Sequence, residues 1–215
     1  MKTSKPYLFL DFDGTLLDVF DRCWAVHSAA VRSFGKQPIL KEHYKRLRRK
    51  GFYEKKIYEE RYSAVPPEVL SAYEVWKSNI EKPRYLSLDK LHEGAKLALR
   101  KLASRYTLIL VSARRDRGAA LAQVERLGII SFFEAFRFPG GTRDPWKNKY
   151  RVMKGYAGEV AGIIGDTEVD ILAGKECGVR TFAVANGLRT SIYLKGLHPT
   201  RVCRDIRTAA NALML

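Results

Sequence analysis

The first regular pattern along the chain is a short apolar run that ends at two acidic residues. Residues 7–10 have the length and composition of a buried strand, and the run stops at Asp11, with a second acid at Asp13. Because ligands bind beyond the carboxyl ends of strands in open α/β sheets, both carboxylates are expected at an edge that carries chemistry. A solvated acidic turn at the end of a strand is the alternative interpretation.

A helical pattern replaces the strand pattern after Asp18. Apolar residues recur at three- and four-residue spacing over residues 19–34, which predicts an amphipathic helix that ends before Gly35. Further helices are predicted over residues 41–50, 53–62 and 66–80, and Pro83 is expected to end this helical stretch. No strand-like run interrupts it, so residues 18–85 are expected to form an all-helical insertion.

Strands and helices alternate from residue 88 onward. The predicted strands are residues 106–111, 132–138, 160–164 and 181–184, and the predicted helices are residues 93–104, 117–127, 149–156, 170–176 and a C-terminal helix from about residue 205. Repeated units of this kind predict an α/β domain with a parallel sheet and right-handed crossovers. We assign residues 1–17 and 86–215 to that domain and residues 18–85 to the inserted helical domain.

Length and composition restrict the class of protein. A chain of 215 residues with 46% hydrophobic residues can bury a core, which argues against wholesale disorder. No stretch approaches the roughly 20 apolar residues of a membrane helix, and the first residues lack the pattern of a signal peptide. The three cysteines have no paired spacing, which disfavours a disulfide framework and a zinc cluster. We expect a cytoplasmic protein without membrane contact.

The formal net charge of +16 is the unusual feature of the composition. A strong positive charge favours anionic partners, which include phosphorylated metabolites, nucleic acid and acidic protein surfaces. Basic and aromatic residues interleave over residues 41–62, and such a segment could bind phosphates and stack on bases. The alternatives are a contribution of the charge to solubility and a solvated helix face.

Polar residues follow the ends of three predicted strands, and together they form a recognisable set. The segments are DFDGTLLD (residues 11–18), VSAR (residues 111–114), a lysine before a predicted helix, and IIGDTEVDILAGKECGV (residues 163–179). In this order they resemble the haloacid dehalogenase-like hydrolase superfamily over nearly the whole chain, and the last segment resembles its phosphoglycolate phosphatase-like subgroup. The resemblance implies a Rossmann-like, three-layer core and identifies residues 18–85 with the helical cap of that subgroup.

The resemblance also implies a Mg²⁺-dependent phosphatase that acts on a small phosphomonoester. Asp11 would be the nucleophile that forms an aspartyl-phosphate, and its ionised carboxylate would need positioning more than activation. Asp13 would protonate the leaving oxygen and then activate the water that cleaves the intermediate. Mg²⁺ would be held by Asp11, Asp166 and the backbone carbonyl of Asp13. Asp170, one helical turn beyond Asp166, would bind the ion directly or through water.

The resemblance further implies roles for a hydroxyl and a lysine. Ser112 would donate to a phosphoryl oxygen, and a lysine would offset the charge of the transition state. We favour Lys149, which lies just before the apolar face of the next predicted helix, but the subgroup's usual lysine-proline pair is absent and Lys147 stays an alternative. Arg114, where the subgroup more often has asparagine, could bind a second phosphate or carboxylate of the substrate, or form a salt bridge with Asp116 or with an acid of the cap.

Several functions stay open beside this one. An acid at Asp13 favours phosphate-ester hydrolysis over the dehalogenase and phosphonatase branches, which lack it, but a phosphomutase would also keep both aspartates. The basic residues 45–56 could instead serve a nucleotide or nucleic-acid end phosphatase. A non-catalytic binding protein on the same fold is the third alternative. The expected partner is a small-molecule phosphate ester, and the expected assembly is a monomer or homodimer.

Overall fold

The structure is a computed structural model that describes residues 5–63, 65–140, 144–156 and 159–215. It divides into two compact units: Val19–Lys90, which we call the helical unit, and Met1–Asp18 with Leu91–Leu215, which we call the core unit. The helical unit thus begins where the helical pattern of the sequence begins and extends to Lys90 rather than to residue 85.

The strands form a parallel sheet and a small ribbon. They are β1 (Tyr7–Leu10), β2 (Leu17–Asp18), β3 (Lys90–Leu91), β4 (Thr107–Val111), β5 (Ala135–Arg137), β6 (Val160–Gly165), β7 (Arg180–Val184) and β8 (Arg201–Cys203). The strands β2 and β3 pair with each other where the chain passes from one unit to the other. The remaining strands lie parallel in the order β5-β4-β1-β6-β7-β8, which confirms the predicted α/β class.

The strand β1 lies between β4 and β6, and this position explains its unbroken apolar sequence. Its last three residues are fully buried, as expected for a strand inside a parallel sheet that is covered on both faces. Phe9 pairs in register with Ile109 on one side and with Ile163 on the other. The carboxyl ends of the three strands therefore meet at one edge of the sheet. The side chains next to that edge belong to Asp11, Ser112 and Asp166.

The helical unit contains the first group of helices. They are α1 (Phe20–Arg32), α2 (Lys41–Arg49), α3 (Glu54–Tyr62), α4 (Pro66–Asn79) and α5 (Pro83–Leu86). Between Val19 and Asp89 the described residues contain no strand, as the sequence predicts. Pro83 begins a helix instead of ending the helical stretch, since proline is well suited to the first helical position. His27 is buried inside this unit, between the Glu54 carboxylate and the Tyr62 hydroxyl.

The core unit holds the remaining helices. They are α6 (Ala95–Arg105), α7 (Arg117–Arg126), α8 (Pro145–Lys154), α9 (Glu168–Glu176), α10 (Ser191–Lys195) and α11 (Ile206–Leu213). The helices α8 and α9 pack against each other, and Met153 and Ala173 join Phe9 in one apolar cluster. The short elements α10 and β8 were not predicted. The helix α8 begins at Pro145, one turn before the predicted start, because Pro145 occupies its first position.

Candidate active site

Three carboxylates converge at the carboxyl edge of the sheet. Asp11 follows β1, Asp166 follows β6, and Asp170 lies in the first turn of α9. All three residues are buried, and one oxygen from each lies within 4.8 Å of the others. Buried like charges at this separation destabilise a protein unless a cation balances them.

The ammonium group of Lys149 lies between two of these carboxylates. Its Nζ donates a hydrogen bond to Asp11 Oδ1 and another, of 2.6 Å, to Asp170 Oδ1. The second oxygen of Asp170 accepts from the backbone N–H of Thr167 at 3.2 Å and from its hydroxyl at 2.9 Å. These contacts fix the lysine and the carboxylate in one geometry at the start of α9.

Lys147 does not take part in this cluster. Its Nζ pairs at 2.9 Å with the carboxylate of Asp144, and its side chain is 47% exposed. Lys149 lies inside α8 and not before it, on the face that buries Met153 one turn later. The structure therefore brings Lys149, and not Lys147, to the carboxylates.

A tight turn after β1 supports Asp166. The Thr15 hydroxyl lies 3.1 Å from Asp166 Oδ1 and 3.3 Å from Asp11 Oδ2, so it bridges two of the acids. The backbone N–H of Leu188 donates to Asp166 Oδ2 at 2.6 Å. Gly14 has a positive φ of 84°, and a Cβ at this position would lie 2.1 Å from Asp166 Oδ2. A glycine is required here both for the turn and for the close approach of the carboxylate.

Burial and neighbouring charge change the pKa of each group in the cluster. Burial raises the pKa of Asp11 to about 7, and the carboxylates of Asp170 and Asp13 add to the effect, although Lys149 opposes it. Burial also raises the pKa of Asp166 well above its ordinary value, helped by Asp11 and Asp170. Burial lowers the pKa of Lys149, but the two carboxylates beside it raise it above its ordinary value. The single Lys149 ammonium group therefore does not balance the negative charge of the three carboxylates.

The donor set of the cluster fits a hard divalent cation. Carboxylate oxygens are the ligands that Mg²⁺ and similar ions prefer, and three of them lie close enough to share one ion. Burial, and to a smaller extent the neighbouring carboxylates, raise the pKa values of Asp11 and Asp166, and a bound cation would offset both effects by stabilising the ionised carboxylates. Asp11, Asp166 and Asp170 are therefore the residues that could hold a metal.

Asp13 lies beside this cluster and pairs with Arg114. The guanidinium group donates from Nε to Asp13 Oδ2 at 3.0 Å and from Nη2 to Asp13 Oδ1 at 2.5 Å. The Asp116 side chain accepts a hydrogen bond from the backbone N–H of Ala119 and caps α7. In this structure Arg114 is therefore directed to an acid of the site.

Ser112 is the first residue after the strand β4, at the same edge of the sheet. Ser112 is 2% exposed, and its backbone N–H donates to the carbonyl oxygen of Arg137 at 3.0 Å. The Ser112 hydroxyl forms no hydrogen bond with the part of the chain that the structure describes. It is therefore available as a donor to a bound anion.

Sequence reasoning missed three contributors to this site. No role in the site was assigned to Thr15, Leu188 or Arg189. Arg189 is buried and forms two hydrogen bonds, of 2.8 and 2.7 Å, with the carboxylate of Glu168 at the start of α9. Nothing in the pattern of the sequence marks the loop that contains Leu188 and Arg189, because its contacts depend on how it folds back to the sheet edge.

The aromatic residues of the basic segment are largely structural. Tyr44 and Tyr58 are fully buried, and the Tyr62 hydroxyl lies 3.0 Å from His27 Nε2. Phe52 lies beneath Lys56, whose Nζ is 4.5 Å from the ring centroid. Tyr53 is 60% exposed. The segment therefore offers bases much less stacking surface than its sequence suggests.

The chain is similar in sequence and in fold to known proteins. A family model described as haloacid dehalogenase-like hydrolase matches residues 8–184. A search of curated proteins finds no match. No helix in the described ranges is long and apolar enough to cross a bilayer.

Solved structures share the fold at low sequence identity. A haloacid dehalogenase-like family hydrolase from Streptococcus pneumoniae is 19% identical, with a TM-score of 0.79 and 99% of each chain covered. A predicted phosphoglycolate phosphatase from Haemophilus somnus is 15% identical, with a TM-score of 0.73 and 99% of each chain covered. A proposed β-phosphoglucomutase from Thermotoga maritima is 20% identical, with a TM-score of 0.65, and 97% of this chain and 98% of that chain are covered.

Proposed function

Because the chain belongs to the haloacid dehalogenase-like hydrolase family, we propose that it is a Mg²⁺-dependent phosphatase that hydrolyses a small phosphomonoester. The observation that carries the proposal is the buried Lys149 ammonium group, bound to Asp11 and Asp170 at the sheet edge. A fixed cation beside a carboxylate nucleophile suits attack on an anionic phosphoryl group. The names of fold neighbours, which include a predicted phosphoglycolate phosphatase, support a small phosphate ester as substrate.

In the first half of the proposed reaction, an oxygen of Asp11 attacks phosphorus. The new O–P bond forms as the ester P–O bond breaks, and the bonding pair leaves with the alcohol oxygen, which takes a proton from Asp13. Lys149 and the Ser112 hydroxyl stabilise the charge on the phosphoryl oxygens. The product of this half is the free alcohol and a phosphorylated Asp11.

In the second half, water cleaves the aspartyl-phosphate. The water oxygen bonds to phosphorus, its proton passes to Asp13, and the bond between phosphorus and the Asp11 oxygen breaks. The bonding pair returns to Asp11, so inorganic phosphate leaves and both aspartates recover their starting states.

Asp11, Asp166 and Asp170 would hold the Mg²⁺ ion, with the backbone carbonyl of Asp13 as a further ligand. When bound, the ion would neutralise the carboxylates and screen Asp11 from the negative charge of the phosphate. The Thr15 hydroxyl and the Leu188 N–H form hydrogen bonds with two of these carboxylates, and these bonds orient the carboxylates for binding the ion.

We also infer that the helical unit acts as the cap of this enzyme. In that role it would exclude bulk water during turnover and supply the side chains that select the alcohol portion of the substrate. The support is the resemblance of the sequence to capped members of the family and the compactness of Val19–Lys90 as a separate unit.

A phosphate-release assay tests the proposal. Purified protein is incubated with sugar phosphates, phosphoglycolate, nucleotides and oligonucleotide end phosphates, with Mg²⁺ and with a chelator. We expect Mg²⁺-dependent release from at least one small ester, and release at background level for Asp11→Asn. The proposal is wrong if the wild-type protein hydrolyses no member of the panel, or if Asp11→Asn is as active as the wild type.

A further inference from the structure

Arg114 holds Asp13 by both carboxylate oxygens. The contacts are 3.0 Å from Nε to Oδ2 and 2.5 Å from Nη2 to Oδ1, a fork-to-fork pair that fixes the plane of the carboxylate as well as its position. The Asp13 side chain is 26% exposed, whereas that of Arg114 is 3% exposed. The guanidinium group is thus buried, whereas part of the Asp13 carboxylate remains accessible.

Arg114 is itself held from two further directions. Its Nη1 donates to Oε1 of Gln123, a buried residue of α7. Its guanidinium carbon lies 4.7 Å from the centroid of the Phe12 ring. Phe12, which separates Asp11 from Asp13 in the sequence, is fully buried. The orientation of Asp13 is therefore tied to α7 and to the buried residue that follows Asp11.

These contacts argue against the substrate contact that the sequence analysis assigned to Arg114. Hydrogen bonds from Nε, Nη1 and Nη2 already engage donors on all three nitrogens of the guanidinium group. A direct phosphate contact would therefore be left with at most the second N–H of Nη1 and of Nη2, on a side chain that is only 3% exposed.

We propose that Arg114 is a positioning residue that orients Asp13 for hydrolysis of the aspartyl-phosphate, an inference that rests on the proposed function. In this arrangement both Asp13 oxygens act as hydrogen-bond acceptors, which is the form that receives the proton of the attacking water. As water bonds to phosphorus and the bond to the Asp11 oxygen breaks, that proton moves to Asp13. Arg114 contacts Asp13 and acts through the carboxylate that it holds.

The test is the kinetics of Arg114→Met with p-nitrophenyl phosphate, whose leaving group departs without a proton. Loss of orientation should slow only the water step, so kcat is expected to fall by about tenfold or more. KM should fall by the same factor and kcat/KM should stay constant, because kcat/KM reports the steps up to departure of the leaving group. Stopped-flow measurement should show a burst of one nitrophenolate per enzyme.

Two variants accompany this measurement. Arg114→Lys keeps the positive charge but loses the paired contact with both carboxylate oxygens. We expect a smaller fall in kcat than in Arg114→Met, again with a constant kcat/KM. Arg115→Met removes the same charge from the neighbouring exposed position and should leave kcat and KM unchanged.

Each other result overturns the inference. A fall in kcat/KM without a burst in both Arg114 variants would indicate general damage to the site, and a rise in KM would indicate direct binding of substrate. Wild-type kinetics in Arg114→Met would show that Arg114 has no role in turnover.

If the wild-type protein hydrolyses no ester of the panel, the proposed function fails and this inference fails with it. Turnover by the wild type with no burst in the variant contradicts the inference alone.

Discussion

Lys149 shows how the position of one side chain decides its role at the residue scale. Only one residue separates it from Lys147, yet the Lys149 ammonium group is buried among carboxylates and that of Lys147 is half-exposed beside Asp144. The difference arises because Lys149 and Met153, four residues apart on α8, share its buried face, whereas Lys147 lies on another face. The two lysines are therefore a matched pair for mutation.

Replacing Lys149 with methionine should abolish most phosphatase activity. The change removes the cation that stabilises charge on the phosphoryl group, and a loss of about 10²–10³ in kcat is expected for one such donor. Phosphate release under saturating Mg²⁺ measures this effect. Lys147→Met, which removes the same charge at the surface, should retain near wild-type kcat, and equal losses in the two variants would contradict the assignment of Lys149.

The raised pKa of Asp11 predicts a pH-dependent stability of the metal-free protein. Its folded value of about 7 lies above the ordinary 3.8, so the native state binds this proton more tightly than the unfolded chain. The resulting stabilisation is complete below the ordinary pKa and is lost as pH rises through about 7. Asp166 shifts in the same direction.

Thermal unfolding in a chelator should therefore show a Tm that falls as pH rises from about 5 to about 8. Asp11→Asn cannot ionise and should show a shallower fall over the same interval. A wild-type Tm that rises across this range, or a slope unchanged in Asp11→Asn, would contradict the effect assigned to burial of this carboxylate.

Binding of Mg²⁺ should stabilise the protein through the three carboxylates. A ligand present at about 100 times its Kd stabilises the native state by about 2.7 kcal/mol, which is several degrees in Tm. We expect this Mg²⁺-induced increase for the wild type and its loss in Asp166→Asn, as measured by calorimetry. Asp144→Asn, an exposed acid away from the cluster, serves as the control and should keep the full increase.

At the scale of elements, the ends of helices account for much of the local order in the core unit. Asp205 accepts hydrogen bonds of 2.8 Å from both the backbone N–H and the hydroxyl of Thr208, and so caps α11. These bonds lower the pKa of Asp205 despite its partial burial. The helix α11 packs against α6, so the cap contributes to the layer that covers the sheet.

Asp205→Ala should therefore destabilise the protein by about 1 kcal/mol, the usual effect of losing an N-cap. Urea unfolding at neutral pH measures this change, and kcat should be unchanged because α11 contributes no side chain to the site. Asp205→Asn, which retains a capping oxygen, should lose less stability than Asp205→Ala, and equal losses would point to the charge of Asp205 rather than to its cap.

The elements also show what could and could not be predicted from the sequence. Apolar periodicity located the long helices and the strands of the sheet except β8, and the ends of strands located Asp11, Ser112 and Asp166, because each of these signals is local. The pair between Arg114 and Asp13 joins residues 101 positions apart, and the N–H of Leu188 reaches Asp166 from a loop without a sequence signal. Such contacts depend on the closing of the tertiary structure.

At the scale of the whole molecule, the net charge of +16 should affect association more than fold. Basic residues attract an anionic ester of any kind, but a small dianion meets few of them at once. For a small substrate we expect kcat/KM to fall only a few-fold between about 50 and 200 mM salt. A nucleic-acid end should instead lose about 10³ or more, as expected when many phosphates are neutralised. Kinetics at several salt concentrations separate the two substrate classes.

The pairing of β2 with β3 has a consequence for the evolution of specificity. Neighbouring strands lie about 4.8 Å apart, so the chain leaves the core unit and returns to it at almost the same point. An inserted segment with such close ends can be lengthened, exchanged between relatives or replaced by a short turn without any change in the register of the sheet. With the helical unit in its proposed role as the cap, the three carboxylates could be inherited unchanged while the residues between Asp18 and Lys90 diversify toward new substrates.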